Sequence, residues 1–418
     1  MKRLAELPGW LRWGLYAAVG VLLLTIVQNL GGTDRLTSVT SSQSMLRWAI
    51  PILLAGLGGL FSERAGVVNI GLEGMMILGT WFGAWGGITY GAWWGIVAGI
   101  IGGALGGLLH ALATVTFGVD HIISGVAVNI LAPGITRFLS SEILTTIPGG
   151  SITQSPRVPG VGSATVPLLA GGTIGNWTTP DLFGWLGTKG WFFVSDVASI
   201  LKGVMTRISW VTVIALMLVP FTAWLLWRTR FGLRLRICGE RPEAGEAQGI
   251  DVYRYKYIGV IISGALAGLA GAFIASPELS GIYLEGQTTG RGFIGLAALI
   301  FGNWRPVGVL GGALLFGYPF GIGLRDLDGS ASHALILVNA IGLAAVAFWG
   351  VRRSRRTDTV LAVTLSAGFA FWYLTTDVVP DVWINVLPYV IVLLVLIFFA
   401  QRLRPPAADG LPYRKGQT

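Results

Sequence analysis

The feature that most constrains this chain is a series of apolar runs, each about as long as a helix needs to be to cross a bilayer. A membrane-spanning helix takes about 20 mostly apolar residues. With 53% hydrophobic and only 12% charged residues among 418, the chain is neither a soluble nor a disordered protein. We predict an all-α, polytopic membrane protein with about twelve transmembrane helices, over about residues 11–30, 45–61, 66–86, 92–117, 122–140, 208–227, 258–279, 292–303, 307–324, 332–350, 359–376 and 384–401.

Basic residues predict how these helices are oriented. With the N-terminus in the cytoplasm, about 20 of the 29 lysine and arginine residues lie in inside segments, as the positive-inside rule requires. We therefore expect a multi-pass protein of the cytoplasmic membrane with both termini inside. The first run, preceded by Lys2 and Arg3, is predicted to be a retained helix, because no convincing cleavage site follows it. The short run at 292–303 is predicted to be a broken or re-entrant helix.

The runs predict one transmembrane domain over residues 1–418, interrupted by two polar segments. The first half covers about 11–140 and the second about 208–401. Between the halves lies an outer segment, 141–207, which is rich in glycine, proline, serine and threonine. The second half contains a highly charged cytoplasmic segment at 228–257. These are the two soluble segments that matter for function.

Glycine residues recur every four residues in several predicted helices. Such a stripe lets two helix backbones pack closely, and the other interpretation is a functional hinge. A candidate internal repeat pairs "GLEGMMILGTWFGAW" (Gly71–Trp85) with "GRGFIGLAALIFGNW" (Gly290–Trp304). The predicted topology sends the first outward and the second inward, so the pair predicts an inverted repeat with a solute path at its interface. The longest stripe consists of Gly95, Gly99, Gly103 and Gly107.

Polar residues within or beside the apolar runs are the candidates for a solute path. Ionisable side chains inside a membrane are costly, so they face a cavity or a partner. Asn69 and Glu73, at i and i+4, are expected on one helical face, where they line a polar path or cap a broken helix. Asn129, Glu285 and Arg291 are further candidates for the path or its gates, although Glu285 and Arg291 also suit a simple outer loop.

The residues that enzymes and metal sites use are sparse in this sequence. The three histidines are far apart, and the single cysteine, Cys238, cannot form an internal disulfide. No P-loop and no dinucleotide-binding glycine motif is present in the sequence. The basic residues follow membrane topology rather than a nucleic-acid-binding patch. We therefore expect neither an enzyme, nor a metal site, nor a nucleic-acid-binding protein.

The charged cytoplasmic segment contains the pattern of a short helix. Pro242 suits its first turn, Glu243 and Glu246 suit the positive end of a helix dipole, and Gly249 can end the helix. Its other residues are small, so the helix is slim. It either lies in a groove of another protein or is an ordinary solvated loop.

Four blocks of sequence carry a family likeness. They are "GGLFSERAGVVNIGLEGMMILG", "RTRFGLRLRICGERPEAGEAQGIDVYRYKYIGVIISGALAGLAGAF", "GRGFIGLAALIFGNWRPVGVLGGALLFG" and the closing "LPYV" with "RPPAADGLPYRK". In this order they resemble the permease subunits of ABC importers for simple sugars and nucleosides and, more distantly, branched-chain amino-acid permeases. The likeness covers roughly 45–330 and 384 to the end, and "FSERAGVVNIGLEG" is most similar to the nucleoside branch.

The resemblance implies a fold of two inverted halves with five helices each. Because ten helices are two fewer than the apolar runs, the pair of runs within 332–376 is expected to be an extra C-terminal hairpin. The resemblance also implies a cytoplasmic coupling helix at about Arg241–Ile250. The residues that it assigns to the coupling with an ATPase are Gly239, Glu240, Glu243, Ala244 and Gly249.

The partners that the resemblance implies are an ABC ATPase, a second permease chain that is related but different, and an external substrate-binding lipoprotein. ATP and Mg²⁺ are used by the ATPase, and no cofactor is expected in this chain. The predicted function is translocation of nucleosides or simple sugars by alternating access.

Three alternatives stay open at this point. The same machinery could carry another small solute, such as a branched-chain amino acid. An ion-coupled secondary transporter working alone also has inverted repeats and buried acids. A membrane-embedded enzyme would need a nucleophile and a base that converge within the bilayer, which the sequence does not offer.

Overall fold

The protein is mainly helical in a computed structural model that describes residues 9–323, 330–352, 356–376 and 403–416, with a few single positions between 379 and 397. The last predicted span, about 384–401, falls almost wholly outside these residues. The described helices are α1 (Gly9–Leu30), α2 (Val39–Arg64), α3 (Leu72–Tyr90), α4 (Ala92–Ala111), α5 (His121–Glu142), α6 (Leu182–Gly187), α7 (Val194–Met205), α8 (Trp210–Arg228), α9 (Arg230–Glu240), α10 (Pro242–Ala247), α11 (Val252–Ala275), α12 (Arg291–Phe301), α13 (Pro306–Gly323), α14 (Ser330–Arg352) and α15 (Arg356–Thr375).

Seven of the described helices are long and apolar enough to cross a membrane. They are α2, α8, α11, α14 and α15, together with α4 and α5 when the turns that extend them to Thr116 and Thr146 are included. Three apolar stretches are shorter: Ala17–Leu30, Arg291–Phe301 and Pro306–Ile322. The chain is therefore a polytopic membrane protein. The number of twelve crossings and the two inverted halves remain predictions.

The third predicted run starts later than expected. Residues 66–71 are not helical, and α3 begins at Leu72. The cause is Gly66, whose φ of +80° is a left-handed conformation that ends helices. Its amide donates to the carbonyl of Glu63 at 2.9 Å and closes α2. The expectation that Asn69 shares a helical face with Glu73 is therefore wrong, because Asn69 precedes the helix.

The chain divides into two compact units, and the first comprises Met1–Leu46, Ala164–Ile208 and Tyr318–Leu394. It contains α14 and α15, two packed helices that cover most of the residues of the predicted extra hairpin, and the ring of His333 stacks on Tyr373 at 4.3 Å between the ring centres. Its buried apolar cluster consists of Val27, Leu36, Ile322, Ala331, Ala334 and Leu335.

The outer segment, 141–207, has regular structure of its own. It includes α6, α7 and a small hairpin in which β2 (Thr173–Ile174) pairs antiparallel with β3 (Trp177–Thr178). Two further two-residue strands are β1 (Ser163–Ala164) and β4 (Ile208–Ser209). In α7 the carboxylate of Asp196 accepts hydrogen bonds from Thr25, Gln28 and Thr37 in the first unit.

The second unit comprises Arg47–Ser163, Ser209–Gly317 and Val395–Thr418. Three helices, α3, α4 and α11, cross at its centre with their backbones in contact. A methyl group added at Gly103 would lie against the carbonyl oxygen of Gly264 and 2.5 Å from the Cα of Gly268, and one at Gly83 would lie 2.8 Å from the Cα of Ala272. The predicted glycine stripe of α4 is thus a helix-packing surface.

Candidate solute path and coupling segment

Two helices of the second unit begin after a glycine and an irregular segment. α3 starts at Leu72 after Gly71, and α12 starts at Arg291 after Gly290. These two glycines open the two copies of the candidate repeat. With 11 residues, α12 is about 16 Å long, whereas the hydrocarbon core of a bilayer is about 30 Å thick. α12 is therefore too short to cross by itself.

The carboxylate of Glu73 joins the starts of these two helices. One oxygen accepts a hydrogen bond from the amide of Gly290 at 2.8 Å, and the other accepts one from the amide of Gly292 at 2.7 Å. Glu73 itself lies in the first turn of α3 and is buried. The negative charge thus sits at the positive ends of both helix dipoles. Of the two roles that the sequence left open, the structure shows the cap.

Asn129 of α5 caps the first turn of α3 in the same manner. Its side-chain oxygen accepts from the amide of Gly74 at 2.7 Å, and its side-chain nitrogen donates to the carbonyl of Ile70 at 3.0 Å. The first amides and the segment before a helix lack intrahelical partners. One amide side chain therefore satisfies both sides of the helix start.

Asn69 lies in the irregular segment before α3 and is fully buried. Its side-chain nitrogen donates to the hydroxyl of Ser263 on α11 at 2.9 Å and contacts the sulfur of Met75 at 3.4 Å. Its side-chain oxygen has no hydrogen-bond partner among the described residues. A buried acceptor without a partner costs about 1–3 kcal/mol. The sequence analysis missed Ser263, although a serine within an apolar run was a usable indication.

Arg291 begins α12 and folds back over the preceding turn. Its guanidinium donates to the carbonyls of Gln287 and Thr288, the latter at 3.0 Å, and lies 4.3 Å from the ring centre of Trp48. The side chain is buried. Arg291 is thus next to Gly290 and Gly292, which bind Glu73.

Glu285 does not take part in the contacts around the starts of α3 and α12. Its carboxylate pairs with Arg137 at 3.5 Å, where the arginine is two-thirds exposed, and its amide donates to Thr153 at 2.8 Å. The structure therefore brings four of the five path candidates together around the starts of α3 and α12, namely Asn69, Glu73, Asn129 and Arg291.

The predicted coupling segment forms two short helices. α9 ends at Glu240, and α10 covers Pro242–Ala247. Gly239 packs against the turn after α2, because a methyl group there would lie 2.5 Å from the carbonyl oxygen of Arg64 and 2.9 Å from the amide of Gly66. Glu240 pairs with Arg64 at 3.4 Å.

The other predicted coupling residues face outward. Glu243, Ala244 and Gly249 are exposed. Gly249 has a φ of +78°, and no atom lies within 4 Å of a methyl group built on it. α10 thus presents small and acidic groups on one surface. In α9, burial raises the pKa of the Cys238 thiol to about 11. Among the described residues, no three histidine, cysteine, aspartate or glutamate side chains cluster as metal ligands.

Comparison with known proteins gives the family. The protein family described as the permease component of the branched-chain amino acid transport system matches residues 42–325 of this chain. The guanosine ABC transporter permease NupQ of Bacillus subtilis is 34% identical over 89% of this chain and 95% of its own length. The nucleoside ABC transporter permease NupC of Lactococcus lactis is 30% identical over 90% and 96%.

Matches over shorter parts of the chain extend this group. The putative glucose ABC transporter permease TsgC13 of Haloferax volcanii is 35% identical over 66% of this chain and 75% of its own length. Bacillus subtilis and Lactococcus lactis each have a second matching permease, NupP and NupB respectively, and these match over shorter stretches of this chain. No solved structure matches the chain. The family match covers the glycine-packed helices, Glu73 and α10, and the chain belongs to the permease family of branched-chain amino acid transport systems.

Proposed function

We propose that this chain forms the solute path of an ABC importer and that its solute is an uncharged nucleoside. The observation that carries this proposal is the position of Glu73, whose carboxylate accepts from the amides of Gly290 and Gly292 at the start of α12. The chain then performs no chemical reaction itself. ATP and Mg²⁺ belong to a separate ATPase subunit.

The charge at the helix starts favours an uncharged solute. In transporters with broken helices, the positive helix N-termini bind anionic groups of the substrate. Here the chain's own carboxylate occupies that position at α12 and lies in the first turn of α3. A second anion, such as the carboxylate of an amino acid, would meet like charge there. This argues against a branched-chain amino acid as the solute.

The neighbouring polar groups suit a solute with hydroxyl and amide groups. The side-chain oxygen of Asn69 is a buried acceptor with no partner among the described residues. An N–H or O–H of a nucleoside would satisfy it when the path opens. Arg291 at the start of α12 stacks with Trp48 of α2, and in this proposal the two act as a gate. The proposal assigns Glu285, paired with Arg137, to the outer mouth.

The relatives support the same solute class. The two that align along most of the chain are named as guanosine and nucleoside permeases. A simple sugar is the second candidate, because the relative TsgC13 is named as a putative glucose permease. Both solutes are uncharged and carry hydroxyl groups, so both fit the argument from Glu73.

The complex that we propose has four kinds of subunit or partner. α10 contacts the ATPase, and a related but different permease completes the path, as the pairs of permeases in the two bacteria suggest. An external lipoprotein delivers the solute. The chain lies in the cytoplasmic membrane with both termini inside, which places α9 and α10 on the side where ATP is available.

Uptake measurements test this proposal. Cells that express the chain with its ATPase, second permease and binding protein are given radiolabelled guanosine, uridine, ribose or leucine. We expect uptake of the nucleosides, and its loss when the ATPase cannot hydrolyse ATP. Uptake of leucine alone would contradict the argument from Glu73. Uptake that survives the inactive ATPase but is abolished by a protonophore would indicate a secondary transporter instead.

A further inference from the structure

The C-terminal residues 404–413, which we call the tail strap, lie along the coupling segment. Its second and third residues are Pro405 and Pro406, which lack amide donors and keep the backbone extended. It turns at Gly410, whose φ is +78°. Pro406 and Ala408 are buried although the segment has no helix or strand of its own. Its order therefore comes from contacts with the rest of the second unit.

Three contacts tie the strap to the coupling segment. The amide of Ala408 donates to the carbonyl of Gly239 at 2.8 Å, which satisfies one of the carbonyls left unpaired in the last turn of α9. The amide of Ala407 donates to the carboxylate of Glu240 at 3.2 Å. The hydroxyl of Tyr413 donates to the carboxylate of Glu246 on α10.

The same strap contacts the segment that leads into α3. A methyl group on Gly410 would lie 3.3 Å from the side chain of Val68, the residue before Asn69. The carboxyl of Asp409 lies next to that of Glu63 near the end of α2. The strap thus spans from α10 to the residues that position Asn69.

A further contact of the strap reaches the far end of α12. The amide of Arg404 donates to the side-chain oxygen of Asn303 at 2.8 Å, two residues after α12 ends at Phe301. One short segment therefore contacts the coupling helices, the approach to α3 and the end of α12. Of these elements, the approach to α3 contains Asn69 and α12 begins at Arg291, so two of the three carry path candidates.

The surroundings of the docked strap favour the protonated form of Asp409, so docking weakens as the pH rises through about 7. Burial raises the pKa of the Asp409 carboxyl to about 7, against the opposing effects of the nearby Lys256 and Arg64. Asp409 is therefore partly protonated near neutral pH. Two adjacent carboxyl groups can then bond to each other instead of repelling.

We propose that the tail strap transmits the movement of the coupling helix α10 to the approach of α3, with Ala408 and Tyr413 as its positioning residues. This inference rests on the proposed function, because it gives α10 the role of ATPase contact. When the ATPase displaces α10, the bond from Tyr413 to Glu246 pulls the strap, and the backbone at Gly410, which passes close to Val68, moves the residues next to Asn69.

Two pairs of variants test the strap. Tyr413→Phe removes only the hydroxyl that binds Glu246, and its control is Tyr90→Phe at the exposed end of α3. Ala408→Pro removes the amide donor to Gly239, and its control, Ala408→Gly, keeps that donor. The purified complex with ATPase and second permease is used, with a tag after residue 418.

The first readout is docking, measured as loss of the tag through trypsin cleavage after Arg414. Losing one hydrogen bond should raise the cleavage rate roughly 2- to 10-fold. The second readout, in proteoliposomes, is solute taken up per ATP hydrolysed. We expect Tyr413→Phe and Ala408→Pro to lower this ratio by a similar factor of roughly 2 to 10. Both variants should still bind the ATPase. The two control variants should have the wild-type cleavage rate and the wild-type ratio.

Two results would overturn the proposal. Equal trypsin cleavage of wild type and both variants would show that these contacts do not dock the strap. Faster cleavage with an unchanged ratio of uptake to hydrolysis would show that the docked strap transmits nothing. A wild-type complex without ATP-dependent nucleoside uptake would contradict the proposed function instead. In that case the ratio is measured with ribose or leucine, whichever the complex takes up.

Discussion

At the scale of single residues, Glu73 shows what polarity within an apolar run can predict and where such reasoning stops. A carboxylate at that depth needs a partner, and capping of a broken helix was one of its two expected roles. The partner itself, the backbone of residues 290–292, is more than 200 positions away in sequence. Only the packed helices bring them together. For Asn69, the turn at Gly66 invalidated the helical spacing on which the expectation relied.

The role of Glu73 leads to a prediction about stability. In the variant Glu73→Gln, one amide of α12 keeps its acceptor, while the other faces the side-chain NH₂ group. We expect the free energy of unfolding to fall by about 2 kcal/mol, which is the usual contribution of a hydrogen bond to a charged group. Thermal unfolding of the purified protein in detergent measures it.

The matched control is Glu285→Gln, which removes a charge from the exposed pair with Arg137. Exposed ion pairs contribute less than about 1 kcal/mol, so this variant should unfold close to the wild-type temperature. Equal destabilisation by the two changes would contradict the capping role of Glu73.

At the scale of elements, the length of an apolar run and the spacing of glycines were informative. The run at 292–303 is short, which predicted a broken or re-entrant helix, and α12 has only 11 residues. The four-residue glycine spacing predicted close packing of α4, and α11 provides the matching glycines. The start of α3 was not predicted, because residues 66–71 are as apolar as the helix that follows. Hydropathy does not distinguish an extended segment within a membrane protein from a helix.

The close packing of α4 predicts that Gly→Ala substitutions change stability in opposite directions at two positions. Gly103→Ala should destabilise the protein by about 1–3 kcal/mol, because the added methyl group meets the backbone of α11, which cannot move aside. Gly134→Ala on α5 meets no atom within 4 Å and should stabilise by up to about 1 kcal/mol through helix propensity. Thermal unfolding of both variants decides the matter. Similar shifts would refute tight packing at Gly103.

At the scale of the whole molecule, the sequence predicted the membrane class and the family but not the division into units. The family match, 42–325, ends before α14 and α15. These helices cover residues 332–352 and 356–375, where the extra hairpin is predicted, and they belong to a unit with α1 and with part of the outer segment. Three separate stretches of chain make up that unit. Such long-range grouping depends on tertiary contacts, which hydropathy and charge do not encode.

The extra hairpin supports a prediction about topology. As predicted, the hairpin adds an even number of crossings, and on that prediction deleting residues 332–376 should leave the C-terminal tail on the same side of the membrane. A cysteine placed at Lys415 is tested with a membrane-impermeant maleimide in intact and in opened cells. The full-length chain with the same cysteine is the control. Labelling of intact cells by the deletion variant alone would contradict the prediction.

The burial of Cys238 has a practical consequence for such experiments. Its thiol is fully shielded from solvent, and with a pKa of about 11 only about one molecule in ten thousand carries the reactive thiolate at pH 7. The natural chain therefore behaves as a silent background for thiol chemistry. Spin labels or fluorophores can be attached at α10 and at the tail strap without first replacing a native residue, and distances between them can be followed through the transport cycle.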